Sequence, residues 1–114
     1  MRLYDLDRHQ TVVESLEIAE SRSARSKGLI GHPPLEPGQG MLIRPSRWIH
    51  TFRMSFPIDV LYVNRDWRVV ACTHALPPNR IDRPVLRAQF VVELSAGAIR
   101  ETGVETGDRL ETRA

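Results

Sequence analysis

Two loops rich in proline and glycine limit what this chain can fold into. "GHPPLEPGQG" (Gly31–Gly40) holds three prolines and three glycines, and "LPPNRIDRP" (Leu76–Pro84) holds three more prolines. Proline fixes φ and removes a backbone donor, while glycine opens the left-handed region. Neither a long helix nor a central strand survives such a stretch, so regular structure is confined to short runs between them. Those runs are rich in β-branched and aromatic residues, which predicts strands. Arg2–Leu6 and Thr11–Ala19 read as an opening hairpin around "DRHQ", followed by a short strand over Gly40–Arg44. Trp48–Met54 reads as extended. Pro57–Val63 and Arg68–Ala75 read as a hairpin about Asn64–Trp67, Val85–Leu94 as the longest strand and Arg109–Thr112 as the last. Two short helices fit: Glu20–Lys27, capped by Ser21 and stopped by Gly28, and one that starts at Ser95 and stops at Gly103. The expectation is a mainly β fold with two short helices (α+β), a compact and mostly antiparallel small β-barrel.

A chain of 114 residues fits one domain, residues 1–114. At this length roughly two-thirds of the unfolded surface can be buried, so no disulfide or metal staple is needed. Cys72 is the only cysteine, which rules out an intrachain disulfide and argues against a cysteine-based zinc site. The histidines His9, His32, His50 and His74 have no ligand-like spacing, and neither metal nor cofactor is expected. Net charge is +2 with a pI near 9.2, and Lys27 is the sole lysine. The arginines are spread along the chain, which reads as a solvated surface rather than a nucleic-acid stripe. Apolar runs are too short to span a membrane. Residues 1–10 carry both charge signs and no apolar signal core, so the chain as written reads as cytoplasmic, with an exported form if a leader has been removed.

The chemistry-bearing positions are acidic groups inside apolar strands. Asp59 lies within "PIDVLYV" and Glu93 within "FVVELSAG". A carboxylate facing a core needs a cation, several donors or a raised pKa. Each therefore has two readings, a structural group held by backbone or arginine, or an acid/base or ligand-gripping group. Sequence spacing leaves open whether they converge. In an extended segment, Trp48, His50, Phe52 and Met54 share one face, with Arg53 on the other. Nucleophilic chemistry is weakly supported, because Cys72 and His74 would sit on one strand face roughly 6–7 Å apart. In the tail, Gly107-Asp108 makes a turn in which Asp108 bonds backbone N–H groups.

Several segments together, "SKGLIG", "GQGMLIRP", "HTFRMSFPIDVLYVN", "RVVACTHALPP" and "VVELSAGAIRETGVETGDRLE", resemble the family called Domain of Unknown Function 192 over nearly the whole chain. The resemblance implies a small β-rich domain with short helices and no assigned activity. Two positions depart from it. Arg53 stands where the family often has an aromatic residue, and it becomes a candidate partner for Asp59. Trp67 stands where the hairpin often has glycine, so a different turn geometry is expected.

The leading functional reading is a non-enzymatic ligand- or partner-binding module for a small polar ligand or a peptide. Its site would carry Arg53, Asp59 and Glu93, with His50 and Met54 at the rim. A second is a hydrolase or lyase using Asp59 or Glu93 with His50. A third is a nucleic-acid-binding small barrel, which the dispersed arginines disfavour.

Overall fold

A computed structural model describes all 114 residues. In chain order the elements are β1 (Arg2–Asp5), β2 (Gln10–Val13), β3 (Ser15–Ala19), α1 (Arg22–Lys27) and β4 (Gln39–Ile43). Then follow β5 (Ile58–Val63), β6 (Val69–Leu76), β7 (Phe90–Ser95), α2 (Ala98–Thr102) and β8 (Leu110–Arg113). The fold is mainly β with two short helices, but the expected barrel does not close. The strands form two sheets, a three-stranded one ordered β2-β1-β8 and a five-stranded one ordered β3-β4-β7-β5-β6. The run expected as one strand over Thr11–Ala19 is the cause. It breaks at Glu14, and β2 stays with β1 while β3 crosses to the other sheet to pair parallel with β4. No helix is long and apolar enough to cross a membrane.

Alternation along the central strands divides the apolar residues into two cores. Leu42, Leu61, Val92 and Leu94 point toward the three-stranded sheet and meet Leu3, Val13 and Leu110. Met41, Ile43, Val60, Tyr62 and Val91 point the other way, beneath α1 and the loops 44–57 and 77–89. Gly40 permits the close approach of the two sheets. A Cβ there would lie 3.1 Å from the Glu93 carbonyl and from both methyls of Val13.

The predicted caps are present. Ser21 Oγ accepts from the Ala24 N–H at 3.1 Å, and Gly28 and Gly103 end the helices at positive φ. The second helix begins at Ala98, later than expected, because Gly97 takes a left-handed conformation (φ 94°) before it.

Two departures from expectation concern loops. Trp48–Met54 is not a strand: the chain turns at Phe52-Arg53, where the Met54 N–H donates to the Thr51 carbonyl, and Arg53 is left-handed (φ 65°). Trp67 is also left-handed (φ 64°), so the β5–β6 turn keeps the conformation glycine would favour. Asn64 Oδ1 supports that turn by accepting from the Asp66 and Arg68 N–H groups, and the indole packs 4.6 Å from the Phe90 ring.

These two residues should respond oppositely to glycine. Arg53 is exposed with no side-chain partner, so Arg53→Gly should raise stability by up to about 1 kcal/mol in thermal melts. Trp67→Gly relieves the same strain but loses the Phe90 contact, and should lower stability by about 2 kcal/mol.

Candidate functional site

Asp59 and Glu93 do not converge. Asp59 pairs with Leu94 and Val60 with Glu93 across β5 and β7. Directly opposed residues share a face and successive residues alternate, so the two carboxylates leave the sheet on opposite sides.

Asp59 is fully buried on the side of the three-stranded sheet. Its Oδ1 accepts from the Ala75 N–H at 2.8 Å, and its Oδ2 from the Gly97 and Ile99 N–H groups at 3.1 and 2.9 Å. The carboxylate thus caps the N-terminus of α2 from a distant strand and ties β6 to the same point. No arginine takes part. Arg53 is exposed on its loop and is not the partner of Asp59.

Glu93 faces the other way, with Met41 and Val60 beside it. It is 3% exposed, and its Oε1 has no hydrogen-bond partner. Desolvation alone pushes its carboxyl up to about 8. It lies at the floor of a cleft of about 250 Å³ between α1 and the loop that follows β4. Met54, buried, and His50, half-buried, line this cleft, while Asp59 and Arg53 do not. Of the trio weighed for acid/base chemistry, only Glu93 and His50 share a cavity. Arg22, Arg25 and Lys27 of α1 complete a basic wall. Arg25 Nη1 reaches the Pro45 carbonyl at 3.4 Å, but its buried Nε has no partner. The Arg25 contribution has no signal in the sequence, because it depends on where α1 crosses the sheet.

His50 Nδ1 accepts from the Phe52 N–H at 3.3 Å, which leaves Nε2 as the protonated nitrogen of its neutral ring. Two further polar clusters are also absent from a linear reading. Asp82 Oδ2 accepts from the Tyr62 hydroxyl at 2.7 Å and the Thr73 hydroxyl at 2.6 Å. Burial first, then that bond, raises the Tyr62 pKa. Asp5, Asp7 and Asp108 bring carboxylate oxygens within 4.8 Å of one another. Arg8 Nε bonds Asp108 at 2.8 Å, and Asp108 Oδ2 accepts from the Glu105 N–H as the sequence suggested. Asp5 Oδ2 has no N–H donor and faces another carboxylate, so a proton held between Asp5 and Asp108 is its natural partner. Burial, then Asp108, push Asp5 up to about 6. Cys72 is half-buried and unpaired by disulfide, and burial raises its thiol pKa.

Comparison with known proteins gives a family and a fold. The family DUF192, described as an uncharacterized ACR, matches residues 5–112. The chain belongs to it. A DUF192 relative, a UPF0127 protein of Pyrococcus furiosus, is 40% identical over 63 residues, which are 55% of this chain and 53% of that one. The chain thus spans about half the length of this curated relative. A Sinorhizobium meliloti crystal structure, provisionally described as a transcription regulator, is 28% identical with a TM-score of 0.78, over 96% of this chain and 89% of that one. A Novosphingobium aromaticivorans protein of unknown function shares the fold, with a TM-score of 0.86 at 19% identity, over 98% of this chain and 84% of that one.

The two carboxyls should separate in stability measurements on this DUF192 domain. Asp59→Asn replaces an acceptor with an N–H₂ facing backbone donors, and should cost about 3 kcal/mol. Glu93 is raised when folded, so the folded state holds its proton longer than the unfolded chain. Its stabilising contribution is complete below the ordinary value of 4.5 and is lost as pH rises through about 8. Asp5 acts in the same direction up to about 6. Melting temperature should therefore keep falling between about pH 6 and 8 in the native protein, while Glu93→Gln should level off there.

Proposed function

We propose that this chain is a non-enzymatic binding module, and that the Glu93 cleft takes a small anion such as a carboxylate or a phosphate. One observation carries the reading: Glu93 and Arg25 line the same cleft, and each has a buried polar atom, Glu93 Oε1 and Arg25 Nε, without a partner. Buried polar groups are normally satisfied, and orphaned ones are costly unless a ligand completes them. A neutral carboxyl offers an O–H donor and Arg25 offers an N–H donor, so the missing group is an acceptor. The basic wall of Arg22, Arg25 and Lys27 favours a negative acceptor over a neutral one and repels a cation. Met54 and Ile49 make the remaining wall apolar, which suits a small organic acid better than a hydrated ion. Asp59 has no place in this site, since all three of its hydrogen bonds go to backbone.

The proposal is tested by thermal shift and calorimetry with acetate, succinate, inorganic phosphate and sulfate as probes. At least one should stabilise the native protein at pH 7, and Arg25→Gln should weaken it by about tenfold or more. The affinity should fall above about pH 8 as Glu93 ionises, and Glu93→Gln, which keeps an N–H donor without the charge, should retain binding at higher pH. Equal affinity for native protein and Arg25→Gln would contradict the reading.

A further inference from the structure

The linear spread of arginine conceals a segregation that folding creates. Nine of the sixteen Lys and Arg residues lie on α1 or on the loops 44–57 and 77–89, three on each. These segments together cover the outer face of the five-stranded sheet. Asp82 is the only acid within them, and its carboxylate is turned to Tyr62 and Thr73. Glu20, which precedes α1, is ion-paired with Arg44 at 3.3 Å. One end of the molecule is therefore strongly basic although the whole carries only +2.

The same loops hold four of the six exposed large apolar residues: Trp48 (48%), Phe52 (42%), Ile81 (61%) and Leu86 (79%). Their exposure follows from how the loops pair. The Thr51 N–H donates to the Arg80 carbonyl, the Asp82 N–H to Ile49 and the Val85 N–H to Arg47. Along this ribbon Ile49 and Thr51 turn inward, and Thr51 Oγ1 bonds the Pro77 carbonyl at 2.6 Å. Alternation then sends Trp48, His50 and Phe52 outward as a row, with ring centroids 5.9 and 4.8 Å apart, and Ile81 pairs opposite His50. An apolar ridge stands inside a basic surround.

We propose that this face docks on an anionic lipid surface, with Trp48, Phe52, Ile81 and Leu86 entering the headgroup region and the arginines meeting lipid phosphates. Exposed aliphatic side chains among arginines suit a bilayer interface, where apolar tips leave water and cations gain from the negative surface potential. A nucleic acid would use the flat rings and the arginines, but Ile81 and Leu86 offer a base nothing to stack on. A second copy is disfavoured, because a two-fold contact would set this basic face against itself. Trp48 and the α1 cations also border the Glu93 cleft, but Ile81 and Leu86 lie outside it, so variants at those two positions separate lipid docking from ligand binding in the cleft.

The test is co-sedimentation with vesicles of phosphatidylcholine alone or mixed with phosphatidylglycerol, with tryptophan fluorescence as a second readout. The protein should sediment with the mixed vesicles, release on raising salt, and show a blue shift that Trp48→Phe removes. The double variant Ile81→Glu, Leu86→Glu should melt as the native protein does, since both side chains are exposed, yet lose about tenfold or more in vesicle affinity. Absence of sedimentation at low salt would overturn the proposal, as would equal binding by the double variant. Tight binding of a mixed-sequence single-stranded oligonucleotide without vesicle binding would replace lipid with nucleic acid as the partner.

Discussion

The pairing of β5 with β7 is the constraint on which the rest depends. Setting Asp59 opposite Leu94 forces Val60 opposite Glu93, and the pleat then sends one carboxylate to each side of the sheet. A shift of one residue would set both carboxylates on the same side. Either Asp59 would lose its three backbone donors, or Glu93 would enter the core between the sheets. The two acidic groups look alike in sequence, each a single charge in an apolar strand. Register alone gives one a structural task and leaves the other unsatisfied.

That asymmetry organises the molecule. On the inner side Asp59 gathers β6, the turn at Gly97 and the start of α2, so a helix of barely more than one turn is held by a fixed charge rather than by its own length. On the outer side no strand covers the sheet. A short helix and two proline-rich loops do so instead, and they leave a cleft above Glu93. The neutral form of Glu93 accounts for its survival there without a cation. Arg22 and Lys27 are exposed at the rim, where they keep their hydration, whereas Arg25 Nε is buried beside the cleft.

Much of the local structure is legible in the sequence. Ser21 and Gly28 bound the first helix, Gly103 ends the second, Asn64 turns a hairpin, and Val91 shares a face with Glu93, each for a reason that acts within a few residues. What was not legible depends on distant parts meeting. The break at Glu14, which gives β2 and β3 to different sheets and leaves the barrel open, is decided by the parallel partner β4. Trp67 keeps a left-handed turn because Phe90 receives its ring. The gathering of nine cations on one face is invisible in a linear scan, because the segments that carry them are separated by strands. That Trp48, His50 and Phe52 share a face is legible in the sequence, but that this face is exposed is not, and Met54 leaves it because the chain turns at Arg53.

The protonation of one side chain, Glu93, decides what the cleft can bind. Carboxyl carbon NMR of the native protein, with Glu93 assigned by comparison with Glu93→Gln, follows that group through a pH titration. A midpoint of about 8 is predicted, set by burial without a charged partner. A midpoint near the ordinary 4.5 would mean that a cation or water already satisfies this carboxylate, and the central claim about the cleft would be wrong.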